Sequence, residues 1–254
     1  MKNVVHFIFG IFGNISSFFL CLSPIITFKR IIKKRSTEYF SGIPYSVALL
    51  NCLLSAWYGL PFVSPNNLLF ATINGTAVVF CSIYVLIFIL FANKREKFKI
   101  LGLLILELSL FSSVVLVSIL ALHGHKRMLF CGLASTILSV IMYASPLTII
   151  RLVIKTKSVE FMPFFLSLSA FLCGTSWFVF GLIGSDPFIF VRNGIGCGLG
   201  LVQLILYAVY HKNKGSPKEE TTDDGSVEKG QMNGKVEEQE KQTSIHHPKQ
   251  NDEV

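Results

Sequence analysis

The chain is a series of long apolar runs separated by short polar segments. Seven runs reach about 20 residues or more, the length that an α-helix needs to cross the hydrocarbon core of a bilayer. They cover residues 4–28, 43–63, 68–91, 100–122, 128–152, 161–183 and 188–210. Because the runs are continuous rather than alternating, the strands of an outer-membrane barrel are a poor alternative. The pattern predicts an all-α, polytopic membrane protein with seven transmembrane helices.

Basic residues gather after alternate predicted helices, and these segments all lie on one side of the membrane. Fourteen Lys or Arg follow helices 1, 3, 5 and 7, against four on the opposite side. Since cytoplasmic loops carry the excess of Lys and Arg, we expect the N-terminus outside and the C-terminus in the cytosol. The net charge of +8, with only 15% charged residues, therefore indicates that the chain's partner is a lipid bilayer and that it does not bind nucleic acid.

The chain also contains an internal repeat. Helices 1–3 match helices 5–7 at an offset of 122 residues, which drops to 119 before the last helix. Helix 4 has no counterpart and returns the chain across the membrane, so the two units are parallel copies. Copies of this kind can rock against each other and expose a shared site to either side in turn. Three matched pairs are Ser23-Pro24 with Ser145-Pro146, Gly59-Leu60 with Gly181-Leu182, and Asn74-Gly75 with Asn193-Gly194.

The repeat predicts four segments. Residues 1–98 form the first three-helix repeat, 99–123 the linker helix and 124–213 the second repeat, a 3+1+3 arrangement. Residues 214–254 are polar and contain no aromatic residue. Such a composition buries too little apolar surface to offset the entropy of ordering, so we expect a disordered cytosolic tail.

Two asparagines are the first candidates for a binding site. Asn74 and Asn193 occupy equivalent positions in the two repeats, each inside an apolar span. An amide supplies two donors and an acceptor, which suits a polyhydroxylated neutral ligand. Interhelical hydrogen bonding is the alternative for either residue alone, but the matched pair favours a shared site on the axis between the repeats.

Other matched positions add to this site. Ser55 and Trp177 are equivalent at offset 122, and an indole face can stack on a sugar ring while a hydroxyl donates a hydrogen bond. For Trp177 a place in the interfacial aromatic belt is the alternative. Four prolines at the predicted cytosolic ends of helices 1, 2, 5 and 6 are candidate hinges. They are Pro24, Pro44, Pro146 and Pro163.

Nothing in the sequence indicates catalysis. There is no nucleophile–base pair, and the six cysteines lie in apolar runs without the spacing of a zinc site or a disulfide framework. We expect no enzyme activity, no metal and no cofactor. Glu107, in the middle of the unmatched helix, is most simply a structural hydrogen-bonding group.

With these residues in place, residues 1–213 closely resemble the SWEET family of sugar transporters, in particular its plant glucose-transporting branch. The resemblance implies that Asn74, Asn193, Ser55 and Trp177 contact the sugar and that the four prolines form a cytosolic tetrad. It also implies that Tyr58 and its counterpart Phe180 narrow an outer gate, and that the protein is an oligomeric plasma-membrane facilitator. The segments that carry it are STEYFSGIPYSVALLNCLLSAWYGLPFV (36–63), TINGT (72–76), KTKSVEFMPFFLSL (155–168) and FLCGTSWFVFGLIGSDPF (171–188).

Two positions depart from what the resemblance implies. The family usually has proline before the second asparagine, where this chain has Arg192, and close relatives have lysine in place of Pro65. Asp186 then lacks its expected gate partner, and our hypothesis is that Arg192 replaces that lysine.

The function expected is facilitative, bidirectional transport of glucose or a similar monosaccharide by alternating access. The alternatives are a carrier of another small solute, such as an amino acid, and a seven-helix receptor. An amino acid needs recognition of its charges, and a receptor needs no half-length repeat.

Overall fold

The computed structural model describes residues 2–211, and this part of the chain consists of helices joined by short turns. The predicted tail lies outside the described residues. The helices are α1 (Lys2–Leu22), α2 (Ile25–Lys34), α3 (Ile43–Tyr58), α4 (Leu68–Phe91), α5 (Lys94–Leu120), α6 (Gly124–Met142), α7 (Ala144–Thr156), α8 (Phe164–Ile183) and α9 (Pro187–Tyr210). Helices α1 and α2 form one broken span and α6 and α7 another, so the seven predicted spans are confirmed.

Six of these spans are long and apolar enough to cross a membrane, and α3 is a shorter apolar helix. The sequence predicted that α3 would continue to residue 63, but it ends at Tyr58. Pro61 lacks the backbone N–H that the next helical bond needs, and the chain continues in turns, with Leu60 N donating to Trp57 O at 3.2 Å. The linker helix α5 begins earlier than predicted, at Lys94, because the side chain of Asn93 caps it through the N–H of Glu96.

The helix bounds and the turn conformations of the first repeat recur in the second. Helices α4 and α9 each have 24 residues, and their bounds correspond at offset 119. Left-handed residues recur at equivalent turns: Arg35 and Lys157 have φ of 51° and 55°, and Asn66 and Ser185 have φ of 68° and 55°. Such conformations are uncommon for residues other than glycine, so their recurrence indicates one duplicated three-helix unit.

The packing follows the same symmetry. In the first repeat α4 lies against both α1 and α3, and in the second α9 lies against both α6 and α8. The repeats meet where α1 packs on α8 and where α3 packs on α6, which are equivalent contacts. The linker α5 packs on α3, α4 and α6. Large apolar side chains cover the outside of the bundle, as a surface that faces lipid requires.

Glu107 fixes the linker helix to the first repeat. Its side chain is buried and accepts a hydrogen bond from the Ser46 hydroxyl of α3. The structure therefore gives Glu107 the hydrogen-bonding role expected from the sequence, away from the space between the repeats.

Candidate functional site

A cavity of about 500 Å³ lies between the two repeats and is lined by residues of both. Its volume falls in the range of about 300–1,000 Å³ typical of small-molecule sites. The lining is mostly aromatic, aliphatic and thiol side chains. The five polar residues among them are Ser17, Asn51, Asn74, Arg192 and Asn193.

The two asparagines are held in the same way. The side-chain amide of Asn74 donates to Phe70 O at 2.7 Å, and that of Asn193 donates to Ile189 O at 2.8 Å. In the described part of the chain the carbonyl oxygen of each amide accepts no hydrogen bond. Each asparagine therefore presents an acceptor and its second N–H to a ligand in the cavity.

Trp177 lies in the wall of the cavity and not at a lipid interface. It is 3% exposed, and its indole Nε1 donates to Ser17 Oγ at 3.0 Å. Its ring meets the Phe70 ring edge-to-face, with centroids 5.2 Å apart. A Cβ at Gly13 would stand 2.6 Å from the indole, so glycine is required there for the close approach.

Ser55 is not among the residues that line the cavity. It is fully buried, and its hydroxyl accepts a hydrogen bond from Arg192 Nη1 at 3.0 Å. The expected contact between Ser55 and a ligand is therefore replaced in this structure by a contact with Arg192.

Arg192 points into the bundle and not toward Asp186. Its Nη1 also donates to Ser139 Oγ at 3.3 Å, and its guanidinium carbon lies 4.4 Å from the centroid of the Phe70 ring. No ion pair joins it to Asp186 in the described residues. The hypothesis that Arg192 replaces a lysine as gate partner of Asp186 is thus not what the geometry shows.

The repeat explains why Arg192 occupies this place. Ser17 and Ser139 are equivalent at offset 122, as are Trp177 and Ser55. In one half the indole of Trp177 donates to Ser17, whereas in the other half Ser55 is small and the guanidinium of Arg192 donates to Ser139. Arg192 thereby fills the space and supplies the N–H that a second tryptophan would have provided.

Within residues 2–211, no carboxylate forms an ion pair with Arg192. Burying an unpaired ion costs several kcal/mol, whereas a desolvated cation–π contact returns about 2 kcal/mol. Two serine hydroxyls add hydrogen bonds but no opposite charge. The cavity therefore carries net positive charge beside Asn193.

Asp186 lies at one end of the bundle and accepts hydrogen bonds from both repeats. Its Oδ1 accepts from the N–H groups of Phe188 and Ile189 and caps α9. Its Oδ2 accepts from the Tyr58 hydroxyl and the Asn67 amide, each at 2.6 Å, and from the Ser64 hydroxyl at 3.3 Å. All of these polar side chains are buried. We call this group of four residues, Tyr58, Ser64, Asn67 and Asp186, the Asp186 cluster.

Sequence reasoning missed two members of the Asp186 cluster, Ser64 and Asn67. A signal for Asn67 was present, because at offset 119 it is the repeat equivalent of Asp186 and begins the matching helix. Phe180 lies beside the cluster, fully buried. The His6 ring stacks on it at 3.8 Å between centroids.

The four prolines line two different cavities. Pro24 and Pro44 line the central cavity, whereas Pro146 and Pro163 line a separate cavity of about 200 Å³ within the second repeat. Pro24 and Pro146 lie where the first helix of each repeat is broken, and Pro44 and Pro163 lie where the second helix begins.

The end of the bundle opposite the Asp186 cluster carries a small ionic cluster. Arg30 Nε and Lys34 Nζ each donate to the carboxylate of Glu38 at 2.6 Å. The hydrogen bond from Arg30, followed by that from Lys34, lowers the pKa of Glu38. The group is exposed and ties α2 to the loop before α3.

A family model matches this chain once in each repeat. The family model described as "Sugar efflux transporter for intercellular exchange" matches the chain twice, over residues 7–96 and 129–215. "Bidirectional sugar transporter SWEET1a" of Oryza sativa subsp. japonica is 66% identical over 216 residues, 85% of this chain and 79% of its own. "Bidirectional sugar transporter SWEET1" of Arabidopsis thaliana is 65% identical over 213 residues, 84% of this chain and 86% of its own.

A solved structure of a eukaryotic SWEET transporter is similar to this chain with a TM-score of 0.81 and 45% sequence identity. The match covers 84% of this chain and 99% of that one. The resemblance seen in the sequence is confirmed, and the chain belongs to the SWEET family of multi-pass membrane transporters.

Proposed function

We propose that this protein is a facilitative, bidirectional transporter of glucose or a similar monosaccharide. The observation that carries the proposal is the cavity between the repeats, with Asn74 and Asn193 at equivalent positions beside Trp177. Sugar moves down its gradient as the two repeats rock and expose this cavity to either side of the membrane in turn.

The chemistry of the lining favours a sugar over an amino acid. Two amides offer donors and acceptors to hydroxyl groups, and the indole offers an apolar face to the ring. The lining residues include no Asp or Glu, so the ammonium group of an amino acid has no partner there. Membership of a transporter family disfavours a receptor.

We assign the Asp186 cluster to the outer side of the plasma membrane, with the N-terminus outside and the C-terminus cytosolic. The excess of basic residues at the opposite end supports this orientation. In this proposed orientation the Asp186 cluster closes the outer side, and Pro24 and Pro44 line the cytosolic part of the cavity. The segments 1–98, 99–123 and 124–213 act as repeat, linker and repeat, and the protein assembles as an oligomer.

Uptake in cells that lack hexose carriers tests the proposal. Labelled glucose should enter faster than in control cells, and labelled sucrose and amino acids should enter less. Asn74→Ala and Asn193→Ala should each lower glucose uptake about two- to tenfold, since each removes hydrogen bonds to the sugar. Ser113→Ala, on the exposed face of the linker helix, is the matched control. Undiminished uptake by the double asparagine variant at equal surface expression would contradict the assignment.

A further inference from the structure

Arg192 is the one cation in the lining of the central cavity, as far as the described chain shows. It is 6% exposed. The ion pairs found within residues 2–211 involve Arg30, Lys34 and Lys99 with Glu38 or Glu96, all away from the cavity. A neutral sugar explains the two asparagines but leaves this buried charge without an ion-pair partner among those residues.

The guanidinium has a free edge. Its Nη1 is committed to Ser55 and Ser139. The donors on Nε and Nη2 make no hydrogen bond to any described residue. The Nε and Nη2 edge of arginine is a planar fork that binds a carboxylate through two parallel hydrogen bonds. Arg192 can therefore take a carboxylate without giving up the serine contacts that hold it.

The neighbours of Arg192 indicate what else the ligand carries. Asn193 follows it directly, and Asn74 and Trp177 line the same cavity. These are the groups assigned above to a sugar ring. We infer, resting on the proposed transport function, that the cavity also binds and carries anionic monosaccharides of the hexuronate class, with Arg192 holding the carboxylate.

The charge of the cavity favours a sugar carboxylate over a sugar phosphate. One arginine balances one carboxylate, whereas a phosphate monoester brings nearly two negative charges into a largely apolar cavity. The second charge finds no other cation in the described lining. A singly charged sugar acid is the better match.

Transport of such a ligand has an electrical signature. The arginine stays with the protein, so each hexuronate moves one negative charge across the bilayer, whereas glucose moves none. A membrane potential that is positive inside should therefore speed hexuronate uptake and leave glucose uptake unchanged.

The test uses the full-length protein in proteoliposomes with labelled glucose and labelled glucuronate. The wild type should take up both, and only glucuronate uptake should rise under an inside-positive potassium diffusion potential. Arg192→Gln, which keeps a hydrogen-bonding side chain without the charge, should lower the ratio of glucuronate to glucose uptake about ten- to a hundredfold. Arg192→Lys, which keeps the charge but not the fork, should recover part of that ratio.

Several results would overturn the inference. Glucose uptake by the wild type without glucuronate uptake rejects the hexuronate class and leaves the sugar-transport function standing. If acetate competes with glucose as strongly as glucuronate does, the cavity recognises the carboxylate without the sugar ring. That result also rejects the hexuronate class. Uptake of neither sugar by any form rejects the transport function itself. The potential dependence is measured on the wild type, so the test does not depend on the folding of Arg192→Gln.

Discussion

At the scale of residues, the two halves of the cavity use different side chains in equivalent places. Trp177 fills one half and bonds to Ser17, and Arg192 fills the other and bonds to Ser139. Both also contact Phe70, the indole in a T-shaped arrangement and the guanidinium over the ring. The duplicated backbone thus supports an asymmetric site, with an aromatic wall on one side and a cation on the other.

The position of Trp177 depends on the absence of a side chain at Gly13. We expect Gly13→Ala to displace the indole, because the new Cβ would lie 2.6 Å from Trp177 Cε2. Glucose uptake should fall about tenfold, equivalent to about 1.4 kcal/mol, as the stacking face moves from the sugar. Uptake assays at matched surface expression check this. Gly102→Ala is the control, since a Cβ there meets nothing within 4 Å; equal uptake by both variants contradicts the role given to Gly13.

The sequence predicted the cavity's two asparagines and Trp177 because the repeat marks them as pairs. It could not predict that Ser55 would be covered by Arg192, since this depends on which way a long side chain turns within a fixed space. The local sequence also offered Asp186 as a partner for Arg192. The carboxylate of Asp186 instead accepts hydrogen bonds from two backbone N–H groups and from the other members of the Asp186 cluster.

At the scale of elements, the broken first helix of each repeat is the main departure from regular structure. The break before α2 is stabilised by Ser23, whose N–H and hydroxyl both donate to the carbonyl of Leu20, at 3.2 and 2.8 Å. Such a joint lets α2 change its angle to α1 without losing a hydrogen bond at that carbonyl. Hydrophobic periodicity does not reveal such a joint, because the apolar run continues across it.

Removing the breaks should slow transport without weakening the fold. Pro24 and Pro146 lie at the N-cap of α2 and in the first turn of α7, where proline is tolerated. Because alanine is also a good helix former, Pro24→Ala and Pro146→Ala should leave the Tm nearly unchanged. The rate of glucose exchange in proteoliposomes should fall severalfold, because straightened helices resist the rocking of the repeats. Pro65→Ala, in the exposed turn between α3 and α4, controls for loss of proline as such. Unchanged exchange rates in both span variants would show that the joints are not hinges.

At the scale of the whole molecule, the repeats meet through two symmetric helix contacts and through the Asp186 cluster. The helix contacts, α1 with α8 and α3 with α6, are equivalent. The cluster is not symmetric, because one carboxylate at the start of α9 gathers three donors from the first repeat. We therefore expect closure at this end to depend on Asp186 more than on any residue of the helix contacts.

Asp186→Ser should open the proposed outer end. Serine still caps α9 but cannot accept from Tyr58, Ser64 and Asn67 together, so the state closed to the outside loses its shared acceptor. In a background whose only cysteine is Cys173, in the cavity wall, a membrane-impermeant thiol reagent added outside should react several times faster than with the parent. Tyr58→Phe, which removes one of the three donors, should give an intermediate rate. Glu38→Gln, at the opposite end, should leave the rate unchanged. If Asp186→Ser reacts no faster than the parent, the Asp186 cluster does not hold this end closed, and the barrier must then lie in the packing of Phe180 and its neighbours.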